Sequence, residues 1–359
     1  MAIMLGVSYG ARAQFRKYSN EFLNIGAGAR ALGMGGANIA SVSGTTAGYW
    51  NPSRLSTVQN NPNLAIMHTE YFSGIGKYDY ASIAIPVNEN KRTIGLSLIR
   101  FAVDDIPNTL YLVEPDGSVN YNNLETFSSA DYAMLLSMSQ VLNKDEVDYT
   151  LSVGGNVKVI HRQIGSFAKA WGFGIDAGVY LATGKWKFGA VLKDVTTTFN
   201  AWSFSFTERE KQVLYLTNND IPEQSTELTA PRLMLGAAYD FRLGNNMKLS
   251  TEAMLETTFD GKRNTIIKSS FASIDPRAGL ELSFKDLVFV RAGISNFQQA
   301  LKDGDMTNQQ KVWIYQPSLG AGFKIKTVRI DYAFTNLANQ NSPLYTHVFS
   351  LSLDLKKKD

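Results

Sequence analysis

The sequence predicts an all-β fold: a transmembrane antiparallel β-barrel of about fourteen strands, with an amino-terminal plug or hatch segment inside its lumen. Three observations support this prediction. Apolar residues alternate with polar or small ones at period two from about residue 63 to the end. The connections between the predicted strands alternate between short turns and longer loops, as in transmembrane barrels. No segment has the roughly 18 consecutive apolar residues of a transmembrane helix.

The hairpin that begins at Trp171 shows the alternation best. From Trp171 to Leu181, large apolar residues lie on one face and mainly glycine on the other, and the pattern resumes after the turn at Thr183–Lys185. The same pattern predicts strands at 63–72, 76–87, 91–103, 126–141, 147–162, 167–182, 185–194, 230–242, 246–258, 275–284, 287–297, 316–326, 327–335 and 345–356.

A soluble β-sandwich or lipocalin-like barrel is the alternative fold. Its polar face would be rich in Lys and Glu, whereas here that face consists mainly of Gly, Ser and Ala with single charges. Aromatic residues also lie near strand ends, where a membrane barrel carries interfacial girdles. These girdle candidates are Tyr71, Phe72, Tyr78, Tyr80, Trp171, Trp186, Trp202 and Tyr345. The sequence therefore favours the membrane barrel, whose closure also removes exposed sheet edges.

The longest predicted loop is Val195–Thr229, and within it Glu208–Leu216 could form a short amphipathic helix. Long external loops often carry function on a stable scaffold. With the loop 104–125, this segment is the candidate surface for a protein partner. The alternative is a lid that folds back over the barrel mouth.

Composition excludes several function classes. The net charge of +3 is small and the Lys and Arg residues are scattered, so no nucleic-acid-binding surface is predicted. The chain has no cysteine, and its three histidines lie far apart. No Gly-x-Ser-x-Gly elbow and no phosphate-binding loop is present. We expect a non-enzymatic protein with no catalytic residue, cofactor or metal site.

The first residues suggest export. Residues 1–13 form a short apolar stretch that ends in Ala11-Arg12-Ala13, a small-x-small pattern typical of a cleavage site. We interpret them as a signal-peptide remnant or, alternatively, as an ordinary disordered terminus. Residues 14–60 are then the plug segment and residues 61–359 the barrel.

The plug prediction depends on the stretch Phe22–Leu55. From Ala31 to Ser53 it contains no charged residue, and it is built mainly from Gly, Ala, Ser, Thr and Asn. Small residues at this density allow tight turns and close backbone packing. A compact, uncharged segment of this kind could sit inside the barrel.

Within this stretch, Ala29–Ala37 reads ARALGMGGA, and Tyr49-Trp50-Asn51-Pro52 follows with Leu55. These residues resemble the amino-terminal signature of the PorV/PorQ branch of the FadL-like outer-membrane barrels. Two features depart from that pattern. Ser53-Arg54 replaces the usual Ala-Gly and adds a charge at the mouth of the hatch, and the chain ends on lysines and Asp359 instead of an aromatic residue.

The resemblance implies a plugged barrel in the bacterial outer membrane, in contact with its lipid. In the FadL group such barrels move long-chain fatty acids or other hydrophobic molecules. In the PorV/PorQ branch, members serve type IX protein secretion in Bacteroidota, where PorV binds sorting domains of cargo and a large translocon barrel. The plug residues that carry the motif are Arg30, Gly33, Met34, Gly35, Gly36, Tyr49, Trp50, Asn51 and Pro52.

Charged residues of both signs lie on the predicted lumen face. Mixed signs favour a structural network that holds the plug over an ion-selective ring. Arg30 either pairs with a wall carboxylate (Asp176, Asp240 or Glu281) or points to the periplasm. The predicted lumen charges are Arg232, Asp240, Arg277, Glu281, Arg329 and Asp331, with Lys158, Lys187 and Arg291.

Two functions follow as hypotheses, and a purely structural anchoring barrel is a third alternative. The first is a cargo-binding shuttle or translocon partner in protein secretion. The second is a passive transporter of hydrophobic small molecules, with the plug as gate. A transporter should have an apolar pocket reaching inwards from the outer mouth, whereas a secretion partner could have a filled lumen and expose aromatic residues on its loops.

Overall fold

The computed structural model describes residues 14–15, 18–88, 91–114, 116–143, 148–222, 224–302, 310–336 and 345–355. Their strands form one closed antiparallel barrel of 14 strands, which confirms the predicted fold class. The barrel strands are β1 Asn63–Tyr71, β2 Gly76–Val87, β3 Arg92–Asn108, β4 Glu125–Val141, β5 Tyr149–Ile164, β6 Ala168–Thr183, β7 Trp186–Lys193 with Thr198–Phe204, β8 Ser225–Thr229 with Arg232–Leu243, β9 Met247–Thr258, β10 Ser273–Phe284, β11 Val288–Leu301, β12 Lys311–Ile325, β13 Val328–Thr335 and β14 Thr346–Asp354.

The last strand closes the barrel on the first. β14 pairs with β1 in antiparallel register, from His347 opposite Glu70 to Asp354 opposite Asn63. Two further strands, Gln14–Phe15 and Ile267–Lys268, have two residues each. The predicted signal segment 1–13 and the lysine-rich terminus 356–359 lie outside the described residues.

Two barrel strands consist of two segments each, so the prediction of one external loop at 195–229 was wrong. The outer half of β7 pairs with β6 and the outer half of β8 pairs with β7. The alternation is broken in β7 because Asp194 and Thr197 adopt positive φ angles of 58° and 60°. In β8 it is broken at Pro231, which has no amide hydrogen. The helix α3, Glu208–Leu216, is confirmed.

Residues 18–62 run through the lumen, and we call them the plug segment. They contain α1 (Ala29–Gly33), α2 (Ala47–Trp50) and the 3₁₀ turns Glu21–Asn24 and Pro52–Thr57. Their apolar side chains make up much of the buried core. In the part of the chain that the structure describes, no helix is long and apolar enough to cross a membrane.

The wall that faces the plug segment is lined by glycine. A Cβ added at Gly154 of β5 would lie 2.5 Å from Pro52 C, and one added at Gly293 of β11 would lie 2.1 Å from Gly35 N. Both distances are too short for any side chain. Other wall glycines in close contact with the plug segment are Gly95, Gly178, Gly189, Gly236, Gly279 and Gly320. The small residues on the lumen face therefore make the seat of the plug.

The outer surface carries the large apolar side chains. Ile66, Leu98 and Leu235 are 55%, 49% and 45% exposed, which inverts the arrangement of a soluble protein. One row of residues in register runs around the outside of the barrel, through β14 and β1–β6, and forms an aromatic and polar girdle. It includes Trp171, which was predicted for a girdle. Its members are Phe349, His68, Asp79, Arg100, Tyr132, His161 and Trp171. Placing Tyr71, Tyr78, Tyr80 and Trp202 in a girdle was wrong, because all four lie on inward positions. Tyr78 and Tyr80 are buried, Tyr71 lines a cavity of the lumen, and Trp202 Nε1 donates to the buried Glu227 at 2.9 Å.

The hydrogen-bonded ladder between β10 and β11 is incomplete. It runs only from Ala278 opposite Ile294 to Phe284 opposite Val288. Further out, β10 pairs instead with the short strand Ile267–Lys268, and β11 continues along β12 with an irregularity after Ser295. Within the described ladders, residues 275–277 of β10 therefore have no strand partner on the β11 side, although the Asp275 carboxyl accepts a hydrogen bond from the Phe297 backbone across the gap. We call this gap the β10–β11 window.

Candidate functional site

Tyr49 and Trp50 hold the two halves of the plug segment together. The Tyr49 hydroxyl donates to the Leu23 carbonyl at 2.6 Å and accepts from the Gly26 amide at 3.0 Å. Trp50 Nε1 donates to the Ala27 carbonyl at 2.7 Å. Burial raises the pKa of the Tyr49 hydroxyl, so it remains a protonated donor. The pair thus has a structural role inside the lumen.

Asn51 and Pro52 make a capped turn. The Asn51 side-chain oxygen accepts from the Ser53 amide at 3.2 Å and from its hydroxyl at 2.6 Å. Its amide nitrogen donates to the Ile39 carbonyl at 3.0 Å. Pro52 then begins the 3₁₀ turn, a position that needs no amide hydrogen. The structure places both residues in the scaffold of the plug.

The run Gly33–Gly36 contacts the wall on β10–β12. A Cβ at Gly33 would lie 3.0 Å from Gly320 Cα, and one at Gly35, where φ is +66°, would lie 2.7 Å from Ile294 N. Met34 is fully buried against two wall glycines. Glycine on both sides lets plug and wall backbones touch.

Arg30 pairs with Glu281 and not with Asp176 or Asp240. Its Nε lies 2.9 Å from Glu281 Oε2 and its Nη2 lies 3.0 Å from Oε1. Asp176 is held by Lys158 at 2.8 Å, and Asp240 by Lys187 at 2.6 Å. Of the three candidate carboxylates, Glu281 thus joins the plug segment to the barrel wall.

The other predicted lumen charges form two clusters of mixed sign. Around Glu281, Arg291 lies 2.6 Å away and Arg329 3.3 Å away, and both also contact Asp331. In the second cluster, Arg232 Nη1 lies 3.2 Å from Glu256, which also pairs with Arg277. Each charge in these two clusters has an opposite partner, as buried ions require.

Sequence reasoning missed Glu252 and Lys193. Glu252 of β9 accepts from the Ala40 and Ser41 amides of the plug segment at 2.8 and 2.9 Å. Lys193 of β7 is buried, and its ammonium lies 4.4 Å from the centre of the Tyr49 ring. Both residues occupy inward positions in the strand alternation, and this was the signal that could have identified them. The plug atoms that they contact depend on the three-dimensional path of the plug segment, which the sequence does not give.

The sequence suggested that Arg54 lies at the mouth of the hatch, but in the structure it does not. It is 6% exposed, its Nε donates to the Val42 carbonyl at 2.9 Å, and its guanidinium lies 3.9 Å from the centre of the Tyr180 ring. Burial lowers the pKa of this guanidinium, while the neighbouring Tyr180 opposes the shift. Arg54 is thus a buried anchor between plug and wall.

Two cavities of about 440 Å³ each lie on opposite sides of α1. The upper cavity, towards the long loops, is lined by Leu32, Gly35 and Thr69. The lower cavity, towards the short turns, is lined by Arg30 and Ala31 and by residues of β1 and β14, the first and last strands of the barrel. α1 and its wall contacts lie between the two.

No family model matches the chain, and no curated protein matches it. Solved structures of similar fold do match. The monoaromatic hydrocarbon channel CymD is 12% identical with a TM-score of 0.52, over 93% of this chain and 98% of that chain. The toluene transporter TbuX of Ralstonia pickettii is 12% identical with a TM-score of 0.52, over 92% and 98%. The toluene transporter TodX of Pseudomonas putida is 12% identical with a TM-score of 0.54, over 92% and 98%.

These neighbours are described as channels or transporters. The closed barrel with its apolar exterior, together with this fold, indicates a location in the bacterial outer membrane. The finer resemblance to the PorV/PorQ branch stays a prediction. At 12% identity the likeness concerns the fold, and the chain has the fold of the FadL-like outer-membrane channels.

Proposed function

We propose that this chain is a passive outer-membrane transporter of hydrophobic small molecules, with the plug segment as its gate. The observation that supports this most directly is the pair of cavities on the two sides of α1. Each cavity, at about 440 Å³, falls within the roughly 300–1,000 Å³ that is typical of small-molecule pockets.

The barrier between the cavities is thin. α1 has five residues, a little more than one turn. On β1, Thr69 lines the upper cavity and Met67 lines the lower one. Two residues along a strand span about 7 Å. A small displacement of α1 would therefore join the two spaces.

Few direct hydrogen bonds hold the start of α1 against β1 and β14. The Gly28 amide donates to Met67 Sδ at 3.0 Å, and the Ala29 amide donates to Ser350 Oγ at 3.1 Å. A neutral hydrogen bond contributes about 1 kcal/mol net. On the opposite wall α1 is anchored, because Arg30 pairs with Glu281 and the Ser318 hydroxyl donates to the Gly33 carbonyl at 3.2 Å. We therefore place the moving part of the gate at the side of α1 that faces β1 and β14, and the fixed part at α2 and the turn Pro52–Thr57.

The upper cavity is more polar than the apolar pocket that distinguishes a transporter of hydrophobic molecules from a secretion partner. Ile25, Leu32, Tyr71 and Pro317 supply apolar surface, but charged, amide and hydroxyl side chains make up most of the lining. The ion pairs that hold the plug segment and the outer loops account for much of this polarity.

A disulfide across the seal tests the proposal, because the chain contains no cysteine of its own. The double variant A29C/S350C places two thiols across the seal, where the Ala29 amide donates to Ser350 Oγ at 3.1 Å. Uptake of radiolabelled toluene and lauric acid would be measured in intact cells that express the protein in their outer membrane, before and after oxidation. We expect uptake by the reduced protein and a loss of at least tenfold after oxidation.

The control variant S56C/S152C joins the fixed part of the plug segment to β5, where the two hydroxyls are 3.4 Å apart. Its oxidation should leave uptake unchanged. If cells with the reduced proteins take up neither probe faster than cells without the protein, the transport function is wrong. If both disulfides block uptake equally, the gate is not at α1.

A role in protein secretion is the second candidate, and one observation favours it. Three aromatic side chains on separate outer loops, Tyr121, Tyr215 and Phe271, are 75%, 77% and 76% exposed. Two of these loops pack together, since the Arg209 guanidinium lies 4.3 Å from the centre of the Tyr111 ring. Exposed aromatic residues are typical of partner-binding surfaces.

Gentle purification of the tagged protein from its native membrane would test this second role. Near-equal amounts of a large translocon barrel or of cargo sorting domains would support it, provided that the triple variant Y121S/Y215S/F271S loses them. A barrel that co-purifies only with lipid or small apolar molecules would exclude it.

A further inference from the structure

Basic residues are concentrated at the lower end of the barrel, which carries the short turns and faces the periplasm in outer-membrane barrels. They lie on or next to four turns, which join β6 to β7, β8 to β9, β10 to β11 and β12 to β13 and so follow one another around the rim. We call these residues the basic arc: Lys185, Arg242, Lys248, Lys285, Lys324 and Lys326.

The charges of the basic arc are not neutralised within the protein. In the part of the chain that the structure describes, none of the six residues forms an ion pair. The Asp240 carboxylate lies beside the arc, but Lys187 already contacts it at 2.6 Å and the Ser250 hydroxyl donates to it at 2.7 Å. The arc therefore keeps its positive charge.

Four of these residues surround one open concavity of about 620 Å³: Lys185, Arg242, Lys248 and Lys285. The carboxylates in its lining are Asp240 and Asp286. Since Lys187 neutralises Asp240, Asp286 is the carboxylate that still opposes the four cations. A concave surface with an excess of one sign focuses the electric field and attracts the opposite charge.

The basic arc faces the mouth of the barrel and not the lipid. Arg242 lies opposite Lys248 in the ladder, and Lys248 lies opposite Ser283, which is buried on the lumen side. The adjacent outward positions carry Leu243 and Met247, which are 47% and 38% exposed. The surface towards the lipid is thus apolar at this level, while the cations face the water of the periplasm.

The backbone of the turns does not account for the lysines. Lys285 and Lys326 both have a φ angle of +52°. Hairpin turns with positive φ favour Asn, Asp and Gly, which adopt this conformation with little strain. Lysine has no such advantage, so its contribution at these two positions is the charge of its side chain.

The basic arc also reaches the lower cavity. Lys324 lines this cavity together with Arg30 and Arg329. On the proposed transport route, the lower cavity is the space from which a molecule leaves the plug segment for the periplasm. A partner that binds along the arc would therefore stand next to this exit.

The extent of the basic arc indicates the size of the partner. Neighbouring strands lie about 4.8 Å apart, so the arc extends over at least about 29 Å from the first of its turns to the last. An extended peptide rises about 3.3 Å per residue, and about nine residues therefore follow the whole arc. A single small anion would contact only one part of it.

We propose that the basic arc is the docking surface for an extended acidic segment of a periplasmic protein. The carboxylates of this segment contact the basic side chains of successive turns, and the bound protein stands at the periplasmic opening of the lower cavity. The role of this partner as acceptor of transported molecules rests on the proposed function. Docking itself does not, and it is measured separately.

The probe is a rhodamine-labelled decapeptide of five Asp-Glu repeats, and its uncharged counterpart has five Asn-Gln repeats. Binding to the full-length protein in phosphatidylcholine nanodiscs is measured by fluorescence anisotropy. We expect the acidic peptide to bind, and its affinity to fall at least tenfold between about 50 and 300 mM NaCl, because salt screens exposed charges. Equal binding of the two peptides, or no binding of the acidic one, would overturn the proposal.

Removal of charges locates the binding surface. The triple variant K185Q/K248Q/K285N removes three cations from the concavity, and asparagine at position 285 tolerates the positive φ of that turn. The matched control K268Q/K302Q/K311Q removes three exposed lysines at the outer end of the barrel. We expect a loss of affinity of at least tenfold in the first variant and of less than twofold in the second. Equal losses would show that the peptide follows the net charge and not the arc.

Anionic lipid head groups are the other polyanionic surface at this side of the membrane. Native mass spectrometry counts the phosphatidylglycerol molecules that the detergent-solubilised wild type and the triple variant K185Q/K248Q/K285N retain. We expect equal numbers, because the arc faces the mouth of the barrel. Fewer molecules on the triple variant would assign the arc to lipid and overturn the proposal.

Docking and transport fail independently. Peptide binding that follows these expectations, without uptake by the reduced disulfide variants, would retain the docking surface and remove its role next to a transport exit. Uptake that the A29C/S350C disulfide closes, without binding of the acidic peptide, would retain the transporter and remove the docking surface.

Discussion

Arg30 of the plug segment and Glu281 of β10 meet through two parallel contacts, 2.9 Å from Nε to Oε2 and 3.0 Å from Nη2 to Oε1. Their side chains are 15% and 7% exposed. A two-point arginine–carboxylate pair fixes orientation as well as charge. It therefore sets the position of α1 against the wall.

Arg30→Met should loosen this attachment. Breaking a buried ion pair costs about 3–5 kcal/mol, and we expect the lower end because Glu281 keeps Arg291 and Arg329 as partners. Ion conductance in planar bilayers should rise, and the urea midpoint of unfolding should fall. Lys187→Met is the control, since it breaks a wall-to-wall pair with Asp240. Equal conductance of the two variants would contradict the anchoring role.

Adjacent glycines on β5 give a second prediction. Gly154 faces the plug segment, and a Cβ there would lie 2.5 Å from Pro52 C and Ser53 N. At Gly155 the nearest atom is Asp176 O at 3.2 Å. Gly154→Ala should destabilise the barrel by about 1–3 kcal/mol through overpacking, whereas Gly155→Ala should have a clearly smaller effect. Urea unfolding checks this, and similar midpoints for both variants would show that the plug does not need glycine at this position.

The sequence predicted the barrel well because strand alternation is local and repeats many times. Its failures have physical causes. The outer halves of β7 and β8 were missed because the backbone at Asp194 and Thr197 and the proline at 231 interrupt the alternation, although the ladder resumes beyond them. The β10–β11 window was missed because pairing between strands is a property of neighbours in space.

The residue types of the candidate site could be predicted from the sequence, but the positions of these residues relative to one another could be predicted less well. The small, uncharged run before Tyr49 indicated a segment inside the barrel, and the wall glycines that receive it were already visible on the lumen face. Three carboxylates were candidates for Arg30, because sequence alone fixes which face a residue lies on and not its height opposite the plug. The lack of ion-pair partners along the basic arc could not be identified, since a lack of partners is a property of the packed state.

A third prediction concerns Lys193. Its replacement should not lower the stability of the fold, in contrast to the replacement of Arg30. Its ammonium is buried over the Tyr49 ring at 4.4 Å, and among the described residues no carboxylate lies within ion-pair distance of it. A buried charge without a close counter-ion costs desolvation energy. Lys193→Met keeps the length of the side chain, so its urea midpoint should equal or exceed that of the wild type. A fall comparable with that of Arg30→Met would show that Lys193 supports the plug through its charge.

The loop between β9 and β10 gives a fourth prediction, on pH. Arg263 binds Asp260 with Nε 2.9 Å from Oδ1, and it also reaches Glu21 of the plug segment at 3.0 Å. Burial raises the pKa of Asp260, but the hydrogen bonds and charge of Arg263 outweigh it and hold the pKa below the ordinary value of 3.8. A carboxyl whose pKa is depressed on folding stabilises the fold above its unfolded pKa and loses that effect as the pH falls through its folded pKa.

The attachment should therefore persist from pH 7 to pH 5 and weaken only below pH 3.8. A nitroxide on Ile266→Cys reports loop mobility by electron paramagnetic resonance, and the same label on Asn245→Cys, in a turn at the other end of the barrel, reports general acid effects. With Asp260→Asn the label at position 266 should already be mobile at pH 7, because the neutral amide no longer pairs with Arg263. Mobility that rises between pH 7 and pH 5 in the wild type, with no change at position 245, would mean that a group other than Asp260 controls the loop.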